Sequence, residues 1–198
     1  MTSFEDALAA VIRHARRLPA VPVPLNEAPG AVLARPVTAR FRMPRFDQSA
    51  VDGYAVRLAD CGSAGPESPV RLALRGEMPI GPGAQCTVPS GGTVRVNTGS
   101  RLPRGTGAVV MKEHCRLEGR TVAVLRRASR GDNVRLAGEE QRAGDLLLPA
   151  GVRVTPLVVG LAAAAGGARL VVWRRPAVAI IATGDELALP GAALARGM

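Results

Sequence analysis

Short apolar runs separated by glycine and proline constrain the fold of this chain more than any other feature. Between about residue 46 and residue 150, the runs are Val70 to Leu74, Thr93 to Val96, Ala108 to Met111, Thr121 to Leu125 and Asp145 to Leu148. Short strands at regular intervals, with turn residues between them, are typical of a small sandwich or barrel. Gly119-Arg120 is a suitable hairpin connection. The centre of the chain is therefore predicted to be a β-rich unit.

An amphipathic helix is predicted at the amino end. Ser3 and Asp6 have the spacing of a capping box, in which side chains bond the free amides of the first turn. Apolar residues then recur at helical spacing: Phe4, Leu8, Val11, Ile12 and Leu18. The helix is expected to end before the prolines between Pro19 and Pro24, which cannot continue its hydrogen-bond ladder. A second, short helical pattern covers Asn26 to Leu33, and an extended segment follows it.

The last fifty residues combine one helix with two extended runs. Thr155-Pro156 is typical of an N-cap with proline in the first turn, and Gly166-Gly167 of a helix end. Strands are predicted from Arg169 to Trp173 and from Ala177 to Ala182, the second leading into a polar loop as in α/β domains. A parallel partner would need a crossover longer than the sixteen residues that follow Ala182. This strand therefore pairs with the earlier sheet, or the chain is the front part of a longer protein.

The charge of the chain is carried by arginine. The formal net charge is +10, and Lys112 is the only lysine. Arginine suits bidentate contacts to phosphate and other oxyanions. The basic residues are scattered and are not interleaved with aromatic residues, as they are on single-strand platforms. This pattern favours no direct contact with nucleic acid, although a basic nucleic-acid-binding β-domain stays as an alternative function.

Cysteine usage and hydropathy indicate a cytoplasmic protein. Cys61, Cys86 and Cys115 are odd in number and form no C-x-x-C pair, so we expect reduced thiols and neither a disulfide framework nor a zinc site. No apolar run approaches the roughly 18 to 20 residues that span a bilayer. The amino terminus lacks the pattern of a secretory signal. We therefore expect no membrane partner.

Rings and acids are concentrated in one segment. Three of the five aromatic residues, Phe41, Phe46 and Tyr54, lie in or just before residues 45–56, together with Asp47 and Asp52. Taken alone, Val51-Asp52-Gly53-Tyr54 is consistent with an Asp-Gly turn between apolar segments. A functional acidic loop would instead need rigid packing to hold its geometry, which the aromatic rings could supply.

Four segments together resemble the MoeA family, the molybdopterin molybdenumtransferases that insert molybdate into the molybdenum cofactor. The segments are MPRFDQSAVDGYAVR (43–57), NTGSRLPRGTGAVVMKE (97–113), NVRLAGEEQRAGDLLL (133–148) and VAIIATGDEL (178–187). Their order and spacing match the family, and the resemblance covers essentially the whole chain. The carboxyl-terminal part of gephyrin is similar too, which implies that relatives can also serve as scaffolds.

The resemblance implies an α+β, mainly β fold. Its expected parts are a discontinuous first domain (residues 1–45 and 141–176), an inserted small β-rich domain (46–140), and the opening strand and loop of a truncated MogA-like α/β domain (177–198). The first two would form an elongated molecule. The family's later pterin-binding loop is absent from these residues. A chain of this length is therefore expected not to be a competent enzyme by itself.

The resemblance also implies the site residues. Asp52, Thr98, Glu140 and Glu186 occupy catalytic positions of the family, and Arg135 and Thr98 cofactor-binding positions. The substrates would be molybdate and adenylylated molybdopterin, with AMP released. Molybdate and adenylylated molybdopterin are both anions, which a bare carboxylate would repel. Mg²⁺ held by Asp52 and Glu186 is therefore expected to bridge these carboxylates and the substrate.

The sequence departs from the family pattern near Arg135. Glu140 stands where relatives usually have aspartate, and the apolar Leu136 and Ala137 stand where relatives often have arginine.

The family arrangement implies a homodimer, in which Asp52, Thr98 and Glu140 face the pterin domain of the other subunit. A MogA-like adenylyltransferase and recipient molybdoenzymes are further expected partners. The alternative is a catalytically silent dimerisation or scaffold module.

Overall fold

The computed structural model describes residues 2–81, 85–181, 188 and 190–191, and the fold is mainly β with few helices. The helices are α1 (Phe4–His14) and α2 (Pro156–Ala164). The strands are β1 (Ala20–Pro24), β2 (Val32–Leu33), β3 (Val37–Thr38), β4 (Gln48–Ser49), β5 (Gly53–Val56), β6 (Val70–Glu77), β7 (Gly92–Val96), β8 (Ala108–Met111), β9 (Cys115–Glu118), β10 (Thr121–Val124), β11 (Val134–Arg135), β12 (Leu146–Leu148) and β13 (Arg169–Trp173). None of the helices in these described ranges could cross a bilayer.

A six-stranded sheet in the order β8-β5-β7-β6-β10-β9 forms the centre of the chain. Only β6 and β7 pair in parallel. Because side chains alternate between the two faces of a strand, β5 sends Tyr54 and Val56 into one apolar cluster and Ala55 into another. Burying each valine-sized side chain stabilises the fold by about 1.5 to 3 kcal/mol. Both faces of the sheet are therefore anchored, and the register of β5 is fixed.

A second, three-stranded antiparallel sheet has the order β1-β13-β2. It shares an apolar cluster with α2, in which Leu33, Val158 and Val172 are buried. Strand β1 contains Pro22 and Pro24, which the sequence did not predict to form a strand. The sheet tolerates them because β1 lies at its edge, where a missing N–H donor removes no ladder bond.

Two small strand pairs join distant parts of the chain. Strand β3 pairs with β12, and β4 pairs with β11, so that Gln48 lies opposite Arg135 and Ser49 opposite Val134. These pairings bring the start of the β-rich segment next to its end. They also place the loop before β5 beside the loop after β11.

Helix α1 begins as predicted and ends earlier than predicted. The Ser3 hydroxyl accepts a hydrogen bond from the Asp6 amide at 3.1 Å, which is the expected cap. The helix stops at His14, before the predicted apolar position Leu18. None of its residues is buried, and Phe4 is 75% exposed. Its apolar stripe therefore has no partner within the described part of the chain.

Two other predictions differ from the structure. The helical pattern from Asn26 to Leu33 is wrong: it forms one 3₁₀ turn, Leu25–Glu27, and then β2, because Gly30 at φ +83° turns the chain between them. The predicted strand from Ala177 to Ala182 is not formed over 177–181, where Ile180 is 92% exposed and has no neighbouring strand to pair with. Ala182 lies outside the described residues. Helix α2 starts at its predicted cap but is only partly buried, since Leu157 is 86% exposed.

The three cysteines are free. Burial raises the pKa of the Cys61 thiol to about 11 and that of Cys115 to about 12. Since the thiolate is the nucleophilic form, both are unreactive thiols at neutral pH. They contribute to packing in the larger central cluster.

Candidate functional site

The Asp52 carboxylate is held at the meeting point of three strands. Asp52 immediately precedes β5, whose first residue, Gly53, lies opposite Val96 of β7 and Met111 of β8. The antiparallel register therefore places Asp52 beside the residues that follow those two strands, including Thr98 and Lys112. Residues 46 and 60 positions apart in sequence are brought together in this way.

Three donors bind this carboxylate. The Thr98 backbone amide donates to Oδ1 of Asp52 at 3.0 Å, and the Thr98 hydroxyl donates to the same oxygen at 3.2 Å. The Lys112 ammonium donates to Oδ2 at 3.3 Å. We call Asp52, Thr98 and Lys112 the Asp52 cluster. Its geometry makes Thr98 a hydrogen-bond partner of Asp52 and adds a cation that received no role from the sequence. The catalytic and cofactor-binding roles expected of Thr98 stay predictions.

The Asp52 cluster is ionised and accessible. Hydrogen bonds from the Thr98 amide, and then from Lys112, hold the pKa of Asp52 below its ordinary value. The Asp52 side chain is 46% exposed and that of Lys112 is 54% exposed. Because exposed pairs contribute little to stability, this ion pair does not explain the fold. Its accessibility allows both side chains to contact a ligand.

Gly53 permits the close approach that positions Asp52. A Cβ atom at this residue would overlap the carbonyl oxygen of Val110 and lie 2.9 Å from its carbonyl carbon. Any larger residue would push β5 away from β8. The chain bends at residues 50–52, as the alternative of a turn predicted, but Gly53 itself begins a tightly packed strand.

The aromatic residues near Asp52 have two different roles. Tyr54 is buried in the core of the six-stranded sheet and fixes β5. The Phe46 ring instead lies under the Arg101 guanidinium, 4.5 Å from its central carbon. Tyr54 thus supports the acidic loop as expected, whereas Phe46 supports a neighbouring arginine.

A second charged group forms around Arg135. Its Nε atom donates to Glu139 at 2.7 Å, and its Nη2 atom bonds to Glu140. The second Glu139 oxygen accepts the Leu136 amide at 2.8 Å. Arg135 and, after it, the Leu136 amide lower the pKa of Glu139, and the two glutamates raise the pKa of Arg135. In this Arg135 cluster, two predicted site residues, Arg135 and Glu140, neutralise each other.

Segment 47–52 links the loops that carry the two clusters. Ser49 exchanges backbone hydrogen bonds of 2.9 Å with Gly99 and Ser100. The Asp47 carboxylate accepts the Ala137 amide at 2.8 Å. The two clusters therefore lie on adjoining loops. Across the described residues, no hydrogen bond or ion pair directly joins the side chains of one cluster to those of the other.

The described residues do not by themselves fit a magnesium centre. Within them, no group of three or more His, Cys, Asp or Glu side chains could hold a metal ion. The carboxylate of Asp52 is already bonded by an amide, a hydroxyl and an ammonium of this chain. Glu186, the other predicted ligand and a predicted catalytic residue, lies outside the described residues.

Sequence reasoning assigned no role to Lys112, Glu139 or Asp47. One feature of the sequence distinguished Lys112: it is the only lysine, and the other 25 of the 26 lysine and arginine residues are arginine. Asp47 was also distinguished, as one of the two acids concentrated in residues 45–56. No feature distinguished Glu139, because its partners are set by loop conformation.

Comparison with known proteins gives a consistent set of matches. The family model for the MoeA N-terminal region (domain I and II) matches residues 2–166. A molybdopterin molybdenumtransferase 2 of Mycobacterium tuberculosis is 39% identical over 197 residues, which is 100% of this chain and 49% of that protein. A molybdopterin molybdenumtransferase of a Nostoc species is 39% identical over 165 residues, or 83% of this chain and 38% of that protein. This chain thus spans about half, or less, of the length of these relatives.

Solved structures agree with the sequence matches. Two crystal structures of a molybdopterin biosynthesis MoeA protein from Pyrococcus horikoshii superpose with TM-scores of 0.83 and 0.78, at 31% and 34% identity. They cover 98% and 89% of this chain, and this chain covers 49% and 47% of theirs.

Proposed function

Because the chain belongs to the MoeA family, as the match to its N-terminal region over residues 2–166 shows, we propose that it forms the N-terminal part of a molybdopterin molybdenumtransferase. The reaction proposed for the whole protein is the insertion of molybdate into adenylylated molybdopterin, with release of AMP. This chain would supply one wall of the active cleft. Residues beyond those of this chain would supply the pterin-binding part.

The Asp52 cluster is the observation that carries this proposal. An accessible carboxylate, ionised and oriented by two Thr98 donors, holds the Lys112 ammonium at the surface. A cation in this position can attract anionic reactants that Asp52 alone would repel. Asp52 orients Lys112, and the Thr98 amide and hydroxyl fix Asp52. The Thr98 hydroxyl has one proton, so it can donate to a substrate oxygen only if it gives up its bond to Asp52. All of these roles belong to residues that the structure describes.

The Arg135 cluster has a supporting role in this proposal. The Nε and Nη2 atoms of Arg135 each donate to a glutamate, so an anionic cofactor group has to bind the remaining N–H donors beside two carboxylates or displace one of these carboxylates. We assign Glu140 to positioning Arg135. The longer glutamate side chain at this position is compatible with that task, which requires only an ion pair.

Magnesium has no step in this mechanism. Lys112 occupies the position next to Asp52 in which the sequence predicted a divalent cation. A metal bound by Asp52 would have to compete with this ammonium and would need carboxylates from outside the described residues. The binding of Mg²⁺ by Asp52 and Glu186 stays a prediction.

The domain division and the homodimer are proposals as well. Separate apolar clusters in the two main sheets support an inserted β-rich domain over 46–140, within a first domain of residues 1–45 and 141–176. The apolar stripe of α1 supports dimerisation, because Phe4, Val11 and Ile12 are all more than 60% exposed. The same stripe favours a scaffold module as the second candidate function.

The experiment is molybdenum insertion by the complete protein carrying Asp52→Asn. We expect molybdenum insertion and AMP release to fall at least about a hundredfold, by analogy with loss of one preorganised electrostatic group, while the protein stays folded. Glu118→Gln is the matched control, since Glu118 is an exposed carboxylate paired with Arg71 on an edge strand. Normal turnover with Asp52→Asn would contradict the assignment. Molybdenum insertion by the 198-residue chain alone would contradict our assignment of the pterin-binding part to other residues. No insertion by any longer form would favour the scaffold function.

A further inference from the structure

An open cleft lined by arginines lies on the loops next to the Asp52 cluster. Its volume is about 550 Å³, and its lining includes Arg42, Arg101 and Arg104. We call it the arginine cleft. Arg101 and Arg104 follow the loop of Thr98, and Arg42 precedes the acidic segment. None of these arginines belongs to either charged cluster described above.

The positive charge of the arginine cleft is not neutralised by the described residues. No carboxylate among them lies within 4.0 Å of the side-chain nitrogens of Arg42, Arg101 or Arg104. Among the described residues of the lining, the only carboxylate is that of Asp47, one of whose oxygens accepts the Ala137 amide. The cleft therefore has an excess of positive charge.

The arginines are partly preorganised. Phe46 lies against the Arg101 guanidinium, and Arg42 Nε donates to the Arg45 carbonyl oxygen at 3.1 Å. Within the described part of the chain, the guanidinium groups of Arg101 and Arg104 have no hydrogen-bond acceptor. Fixed guanidinium groups with free N–H donors bind phosphate oxygens bidentately.

The size of the cleft limits the class of ligand. Sites for small molecules typically enclose about 300 to 1,000 Å³, so 550 Å³ is in the range for a ligand larger than free phosphate. Single-stranded nucleic acid needs exposed aromatic faces for stacking, whereas Phe46 is partly buried and Arg101 covers it. We propose that the arginine cleft binds the diphosphate group of a small phosphorylated ligand. This inference does not rest on the proposed function, because it concerns different residues and is tested by binding alone.

The test is calorimetric titration of the 198-residue chain with ADP, pyrophosphate, orthophosphate and adenosine. We expect ADP and pyrophosphate to bind, orthophosphate to bind more weakly and adenosine not to bind. Higher salt should weaken binding, because the contacts are ionic. Tight binding of ADP with none of pyrophosphate would show that the base, and not the diphosphate, is recognised, and would overturn the proposal.

Substitutions of single arginines test whether pyrophosphate binds in the arginine cleft. Arg101→Gln and Arg104→Gln should each weaken pyrophosphate binding about tenfold or more, the effect of losing one hydrogen bond between charged groups. Arg104→Gln removes no side-chain hydrogen bond or ion pair of the described residues, so its folding should be unaffected. Arg116→Gln is the control, because it removes the same charge from the exposed edge strand β9. Equal weakening in all three variants, or no binding by the folded unmodified chain, would overturn the proposal.

Discussion

The Asp52 cluster combines one carboxylate with one cation and the Arg135 cluster combines two carboxylates with one cation, but different parts of the fold hold them. Asp52 meets partners 46 and 60 residues away, brought to it by the register of β5 between β7 and β8. Arg135, the last residue of β11, meets partners four and five residues away in the loop that follows this strand. The first cluster therefore depends on the central sheet, and the second depends on local loop conformation.

The two clusters also differ in the contact that lowers the pKa of their carboxyl groups most. The largest influence on Asp52 is a backbone amide, and Lys112 comes second. For Glu139, the largest influence is the side chain of Arg135. The Thr98 amide lies in the turn after β7, where Gly99 and Ser100 are bonded to Ser49, so it moves aside for a ligand less readily than a long side chain does. We infer that the Asp52 cluster presents a rigid surface and the Arg135 cluster an adjustable one.

The largest expected effect comes from breaking the sheet beneath the Asp52 cluster. Gly53→Ala places a methyl group against the Val110 carbonyl, so the free energy of unfolding should fall by about 3 kcal/mol, as for severe overpacking. Gly62→Ala is the matched control, since nothing lies within 4 Å of its added Cβ. Denaturant titration should show a change of at most about 0.5 kcal/mol for the control. Similar values for both variants would mean that β5 and β8 can separate freely.

A smaller effect should follow from separating the two loops. Asp47→Ala removes the acceptor of the Ala137 amide, so we expect a loss of about 1 kcal/mol of stability and faster hydrogen exchange at that amide. The hydrogen bonds of the Asp52 cluster should be unaffected. Glu67→Ala is a suitable control, because Glu67 forms no ion pair within the described residues. Unchanged exchange at Ala137 would show that Asp47 does not hold the loop.

The smallest expected effects are pKa changes, and they compare the clusters directly. Arg135→Gln should raise the pKa of Glu139 further than Lys112→Gln raises the pKa of Asp52, because only Glu139 loses its largest stabilising contact. Carbon-13 NMR titration of the carboxyl groups measures both. A larger change at Asp52 would reverse our assignment of the rigid and adjustable clusters.

The same pKa values set the direction of the acid dependence. Both carboxyls have a folded pKa below the ordinary values of 3.8 for Asp and 4.5 for Glu. Their contribution to stability is therefore present above those values and is lost as the pH falls through the folded pKa. Each glutamine variant should make stability less dependent on pH in this acidic range.

Much of the fold was predictable from local sequence. The caps at Ser3 and Thr155 and the runs that form β6, β7, β8, β10, β12 and β13 were recognised, because alternation and turn residues act over short distances. The strand with Pro22 was missed, because its tolerance depends on an edge position that only the assembled sheet defines. Ala177 to Ala182 was predicted from apolar character, although a strand also needs a partner.

The candidate site was predictable only in part. Asp52 and Thr98 were identified through the family resemblance, and the sheet register then explains why they meet. Lys112 could not be identified, because its proximity to Asp52 depends on the pairing of β5 with β8. The mutual neutralisation of Arg135 and Glu140 was also missed, since it depends on loop conformation.

The most direct test of the central claim is a double-mutant cycle on molybdenum insertion by the complete protein. The variants are Asp52→Asn, Lys112→Gln and the two combined, with AMP release as the measurement. If Asp52 and Lys112 act as one unit, the double variant should be no slower than the slower single variant. Losses that multiply would contradict the account, because they would mean that the carboxylate and the ammonium act independently.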